Sequence, residues 1–275
     1  MNPTLARLED LQFPAGAPVL VLAPHPDDFD AIGVTLRLLH ERGHAIHLAV
    51  ATSGASGVDD SDCTPPTWEA KVALREAEQR ASCRFFGLPD ERLRFLRLPA
   101  DTEGRVAVDA ANVERLAAVL RELDPALVFL PHGRDANVAH QRVHALLRTA
   151  ASVALDAPSS PAGPSQGPHA AAPFIALLNR DPKTVAMRYD VVTPYGDGLA
   201  AWKATLLRFH QTQQQRNLRR RGHGFDERIL AMDRDSAVAC GVPEPYAEAF
   251  ELESGESAAG DAGTSSRRRT DARAA

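Results

Sequence analysis

The feature that most constrains the fold is Val19-Leu-Val-Leu-Ala-Pro-His-Pro-Asp-Asp28, an apolar run ending in a histidine and two adjacent acids. Its first half is short, continuously apolar and flanked by prolines, which predicts a buried strand. A doubly wound α/β protein keeps its ligand crevice at the carboxyl end of such a strand. Nucleotide-binding chains place glycines there so that phosphate can reach the backbone. No Gly-x-Gly-x-x-Gly follows Ala23, which argues against a dinucleotide-binding oxidoreductase. Asp27 and Asp28 repel each other and any phosphate, so their natural companion is a cation. His25 and Asp28 can face one point if the chain turns into a helix at Pro26. Asp27 then lies beside the cation, free to handle a proton. The plainer alternative is that Asp27 or Asp28 caps a helix starting near Asp30.

The rest of the chain alternates strands and helices. Ala31–Arg42 has helical apolar spacing and stops at Gly43; Ala45–Thr52 reads as a strand running into the small-residue loop Ser53–Gly57. Residues 59–66 read as an exposed loop. Thr67–Phe86 predicts a long helix closed by Gly87, Leu93–Leu98 a half-covered strand, Asn112–Leu123 a helix and Ala126–Leu130 a buried strand. This order implies a Rossmann-like α/β fold, a mostly parallel sheet with helices on both faces. Phe174–Leu178 and Thr184–Val192 read as further strands and Leu199–Arg221 as one helix ending in Arg216, Arg219, Arg220 and Arg221. Cations at a helix C-terminus usually serve its dipole, although such a cluster can meet an anion. The expected organisation is a single domain over 1–253, with a Pro/Ala/Ser-rich insertion at 156–173 and a disordered tail at 254–275.

The buried strand at Ala126–Leu130 leads into a second cluster of metal-competent side chains: His132, His140 and His144. His140 and His144 are four apart, so a helix puts both rings on one face. A lone helical histidine is usually surface or satisfied core. Here a separate strand end already offers His25 and Asp28, and two such ends at one crevice are rarely accidental.

These residues resemble the PIG-L/LmbE-like family of metal-dependent N-deacetylases. Its Ala-His-Pro-Asp-Asp-Glu motif corresponds to Pro24-His-Pro-Asp-Asp-Phe29, and its Thr-x-Gly-Glu-x-Gly loop to Thr52-Ser-Gly-Ala-Ser-Gly57. Arg75, Glu78 and Gly87 fit its Arg-x-x-Glu…Leu-Gly helix. Asp135-Ala-Asn-Val-Ala-His140 fits its Asp-x-His-Pro-Asp-His segment, and His210-Gln-Thr-Gln213 and Tyr246–Phe250 resemble two later signatures. The resemblance implies His25, Asp28 and His140 as metal ligands, with Asp27 as general base. Such a shell suits catalytic zinc, with ferrous iron or another divalent ion as alternatives. Arg75 and Asp101 are candidate substrate contacts, Arg75 being equally suited to an in-helix ion pair with Glu78.

Four departures surround this shell. Phe29 replaces a glutamate, Ala55 the loop glutamate, Asn137 a histidine, and Ala139 the acid supporting that histidine. Asn137 can donate a hydrogen bond to an oxyanion but does not titrate near neutral pH. Proton delivery then falls to Asp27, with His132 and His144 as substitutes and as reserve ligands. Asn137 is equally suited to capping the helix that carries His140. The implied substrate is a small N-acetylated amino sugar, N-acetylglucosamine-like, or a glycoconjugate. A non-catalytic metal- or ligand-binding protein of the same fold is the competing reading.

Bulk properties agree. The net charge of −5, with both signs intermixed, argues against nucleic acid or an anionic membrane. Cys63, Cys83 and Cys240 form no paired spacing, which excludes a disulfide framework or structural zinc knot. Met1–Pro18 lacks a signal-peptide pattern and no apolar run is long enough to cross a bilayer, so a cytoplasmic location is expected. Homo-oligomerisation is left open.

Overall fold

The computed structural model describes residues 5–101, 105–156 and 174–253. The tail predicted at 254–275, and the predicted insertion apart from Asp156, lie outside the described residues. The strands are β1 (Ala6–Arg7), β2 (Pro18–Ala23), β3 (Ala45–Val50), β4 (Leu93–Phe95), β5 (Leu127–Pro131), β6 (Ile175–Asn179), β7 (Val191–Tyr195) and β8 (Tyr246–Glu253). The helices are α1 (Asp28–Ala31), α2 (Gly33–Glu41), α3 (Trp68–Phe86), α4 (Ala110–Leu123), α5 (Val138–Asp156), α6 (Asp197–Leu207), α7 (Gln211–Arg221) and α8 (Phe225–Cys240). One eight-stranded sheet runs in the order β1-β7-β8-β6-β5-β2-β3-β4. All its pairings are parallel except those of β8 with β6 and β7.

β2 is apolar throughout because both its faces are covered. Val19 and Val21 pack with Phe29, Leu36 and Phe86 from the α1–α3 side. Leu20 and Leu22 pack with Leu116, Leu120 and Leu146 of α4 and α5 on the other. Neighbouring β3 and β5 pair with β2 on opposite edges, so chain order reverses there, at the switch point where α/β sheets open a crevice. Backbone pairing continues past the strand ends, from Ala51 N to Ala23 O (2.8 Å) and from Thr52 N to Pro24 O (3.0 Å). The loop after β3 is thereby held beside His25.

Local chemistry sets the ends of α3. Thr67 Oγ1 accepts from Ala70 N at 3.3 Å, and Gly87, at φ +94°, makes the left-handed closing turn.

Two predicted elements differ. Leu199–Arg221 is not one helix but α6 and α7. The break falls at His210, whose fully buried ring pairs with Asp30 at 2.6 Å, a tertiary bond that no glycine or proline announces. The strand predicted at Thr184–Val192 begins only at Val191. Thr184 instead bridges Asp135, Val185 is 77% exposed, and Arg188 N donates to Glu251 (2.8 Å). Helix α8 and the antiparallel strand β8 are additional to the predicted elements.

Candidate functional site

The turn after β2 is held in an unusual shape. Asp27 has φ of 120°, a conformation costing a non-glycine residue about 1–3 kcal/mol and persisting only where its surroundings enforce it. Helix α3 does so through one face, Arg75, Glu78 and Gln79. Gln79 Oε1 accepts from Asp27 N (3.0 Å), while Arg75 donates to Pro26 O and to Asp27 Oδ2 (2.7 Å). Arg75 also donates to Glu78 (3.0 Å) and Thr212 (3.2 Å). Gly54 closes the turn from the other side, since a Cβ there would lie 3.1 Å from Pro26 Cδ. Asp27 does occupy the position before α1, yet its side chain makes no capping bond. The helix-cap alternative for Asp27 therefore fails.

His25 and Asp28 come together as their spacing predicts. His25 N donates to Asp28 Oδ2 at 2.8 Å, and His25 Nδ1 stands 3.5 Å from the same oxygen. His140, from the first turn of α5, enters from the β5 side. Its Nε2 is 3.7 Å from Asp28 Oδ1 and its ring centroid 5.3 Å from that of His25. Donor atoms of His25, Asp28 and His140 all lie within 4.8 Å of one another. Asp135 Oδ2 is 3.0 Å from His140 Nδ1. A carboxylate only accepts, so Nδ1 carries a hydrogen, and Nε2 is the ring atom turned toward Asp28, where a bound cation would take the place of its proton. Among the described residues Asp135, His140 and Asp181 form a second such group, overlapping the first at His140.

The electrostatics favour a cation at this point. Burial works against charge on Asp28, but His140 and His25 overcome it and bring its pKa down to about 2. Burial likewise opposes charge on His140, but Asp28 and Asp135 prevail and push it up to about 9. Asp27 behaves differently: burial, only partly offset by Arg75, raises its pKa. The centre lies in a cleft of about 840 Å³, lined also by the Thr52–Gly57 loop, Trp68, Asn137 and Asp181.

Other predicted site residues are placed less centrally. Arg75 is 1% exposed and both its Nη atoms are bound to protein groups, so it positions Asp27. Asp101 lies outside the lining of the main cleft and binds Arg142 (2.6 Å). His132 is also outside that lining, with Nε2 3.1 Å from Glu251 and Nδ1 accepting from Arg134 N. His144 shares a helix face with His140 but sits one turn farther on, against Gly133 and 3.6 Å from Glu253. Neither histidine reaches the centre as a reserve ligand. Asn137 Oδ1 accepts from Ala139 N (3.0 Å) at the start of α5, the helix-capping geometry, while the residue also lines the cleft.

Sequence reasoning assigned no role to Asp135, Gln79 or the buried Asp30–His210 pair, to which Gln79 Nε2 connects (3.1 Å to Asp30). Asp135 had a signal, an acid five residues ahead of a candidate ligand histidine. His210 stood only in a later motif, and nothing signalled its pairing with Asp30, 180 residues away.

Several known proteins share this architecture. N,N'-diacetylchitobiose deacetylase from Pyrococcus horikoshii superposes with a TM-score of 0.68 at 18% identity, over 92% of this chain and 91% of that one. GalB, the 4-carboxy-2-hydroxymuconate hydratase from Pseudomonas putida KT2440, superposes at 0.66 and 18% identity, over 94% and 100%. A putative glucosamine-6-phosphate deaminase-like protein of Bacteroides thetaiotaomicron is 25% identical over 167 residues. That match covers 42% of this chain and spans only 25% of the relative. The model of the GlcNAc-PI de-N-acetylase family, PIG-L, matches residues 20–151, the stretch holding His25, Asp27, Asp28, Arg75 and His140. Residues 20–151, which hold these side chains, therefore carry a PIG-L-type domain.

Proposed function

We propose that this protein is a metal-dependent N-deacetylase, hydrolysing the N-acetyl group of an amino sugar or glycoconjugate. One juxtaposition carries the reading: His25, Asp28 and His140 converge, while Asp27, buttressed by Arg75, lines the same cleft. Two imidazoles and a carboxylate suit zinc, and also ferrous iron. The Asp135–His140 contact leaves Nε2 free for such an ion, so the residues fit it. When bound, a divalent ion supplies Lewis acidity, which polarises an amide carbonyl and makes water a better nucleophile at neutral pH.

Asp27 is the proton acceptor for the attacking water. Arg75 binds Oδ2, which leaves Oδ1 for the proton, and burial strengthens the carboxylate as a base by raising its pKa. Asp27 then returns the proton to the departing amine, because Asn137 cannot titrate. Asn137 uses Oδ1 on the helix and keeps its amide N–H groups for the developing oxyanion.

Metal analysis paired with an acetate-release screen over N-acetyl sugars tests the proposal. The expected result is one divalent ion per chain and acetate released from at least one amino sugar. Stoichiometric metal without release from any of them would overturn the hydrolytic reading in favour of a non-catalytic binding protein.

A further inference from the structure

The outer wall of the cleft holds cations without ionic partners. Arg216 on α7 and Arg228 on α8 both line it and both are half-buried. Among the described residues, neither side chain has an acid within ion-pair distance. Acids on the neighbouring loop are already bound: Asp59 lies 3.0 Å from both Arg219 and Arg220, and Asp62 pairs with Arg219. Burial, reinforced by Arg220, draws the pKa of Arg216 below the ordinary guanidinium value. Burial does the same to Arg228 despite the attraction of Asp181. Lys183 adds another cation at the cleft mouth.

A desolvated, unpaired guanidinium costs stability, and this chain neutralises Arg75, Arg97, Arg208 and Arg219 with acids. Arg216 is moreover fitted into place. A Cβ on Gly57 would lie 3.2 Å from its Nη1 and 3.3 Å from Gln213 Nε2, which itself donates to Gly57 O (3.2 Å). Glycine at 57 lets the guanidinium lie close against the loop backbone.

We propose that Arg216 and Arg228 form an anion subsite, so that the substrate is an N-acetylated amino sugar bearing a phosphate or carboxylate away from its amide. A guanidinium fork matches either group. The deacetylase reading supplies the acetyl group in this statement; the unpaired arginines supply the charge.

Calorimetric titration of the metal-loaded protein tests the subsite with three probes: N-acetylglucosamine, its 6-phosphate, and 2-acetamido-2-deoxyglucuronic acid, whose carboxylate is at C6, as the carboxylate arm. At least one anionic sugar should bind about tenfold or more tightly than the neutral one, with the preference shrinking as salt is raised. Arg216→Gln and Arg228→Gln should each bring that preference down toward parity, by about threefold or more, and Arg216→Lys should retain part of it. Unchanged thermal melts would show that the variants fold. Equal affinity for all three sugars, or a preference untouched by the variants, would overturn the subsite. Parallel acetate assays separate the two readings. Arginine-dependent anion binding without release from any sugar supports the subsite and counts against the deacetylase. Release from the neutral sugar with no anion preference does the reverse.

Discussion

Asp135→Asn probes how His140 is held. Asp135 serves two donors at once, His140 Nδ1–H through Oδ2 (3.0 Å) and Asn137 N–H through Oδ1 (2.6 Å). Asparagine has the same shape but only one accepting oxygen. If that oxygen faces His140, the amide NH2 meets the N–H of Asn137 and leaves a donor unsatisfied, costing about 1–3 kcal/mol. If it faces Asn137 instead, NH2 points at Nδ1. The ring then adopts the other tautomer and turns Nε2–H toward Asp28. Either arrangement should weaken divalent-ion affinity by about 10–100-fold, the range for losing an outer hydrogen-bond partner of a ligand histidine. Competition against a chromophoric chelator would measure this, with turnover expressed per bound metal. Affinity equal to that of the parent protein would refute the role assigned to Asp135.

The remaining predictions concern the centre itself. Asp27→Asn should keep the metal and lower turnover by about 10²–10⁴-fold, whereas Asp28→Asn should lose metal; equal metal loss in both would collapse the division of labour. In the chelated protein, His140 is stabilised as imidazolium, its pKa raised from 6.5 to about 9. Its contribution, about 3 kcal/mol at about 1.4 per unit, should be intact below pH 6.5 and be lost as pH rises through about 9. Urea melts across that window should show the decline, and His140→Gln should flatten it. Asn137→Asp keeps the oxygen that caps α5 but replaces the amide donor by a carboxylate. Stability should hold and turnover should fall by about 10²–10³-fold, so full activity would reduce Asn137 to a cap.

What was legible in the sequence was local. β2, β3, β5 and the capped helix α3 each follow from a short apolar run or from end signals such as Thr67 and Gly87, which need no knowledge of the rest of the chain. His25 with Asp28 was equally readable, because three residues of separation and one turn define their meeting. His140 required the further inference that two parallel strands share an edge. The illegible parts depend on tertiary partners. The break between α6 and α7 is imposed by Asp30 on His210, and the late start of β7 by the bridge of Thr184 to Asp135 and the bond of Arg188 N to the Glu251 side chain. Arg75 was divided between a substrate contact and an ion pair with Glu78. Its bonds to Pro26 and Asp27 could not be foreseen, since they span 49 and 48 residues.

The departures from the family motif form a pattern in the structure. Phe29, where the motif has glutamate, is fully buried and packs edge-on against Phe86 at 5.0 Å. The change swaps a carboxylate for core and leaves His25 and Asp28 facing His140. Asn137 and Ala139 belong together. The histidine at the first position and the acid that would support it at the second are both missing, so neither leaves an unpaired charge behind. A site decaying at random would strand one member of such a pair, and a stranded buried charge is costly. The supports of the proposed metal ligands are present: Arg75 and Gln79 grip the Pro26–Asp27 turn, and Asp135 holds His140. The acid that would serve the missing histidine is absent, while the groups that hold the proposed donors and Asp27 are present. That division is the one expected if the centre is held for the proposed metal chemistry and its substrate side is altered.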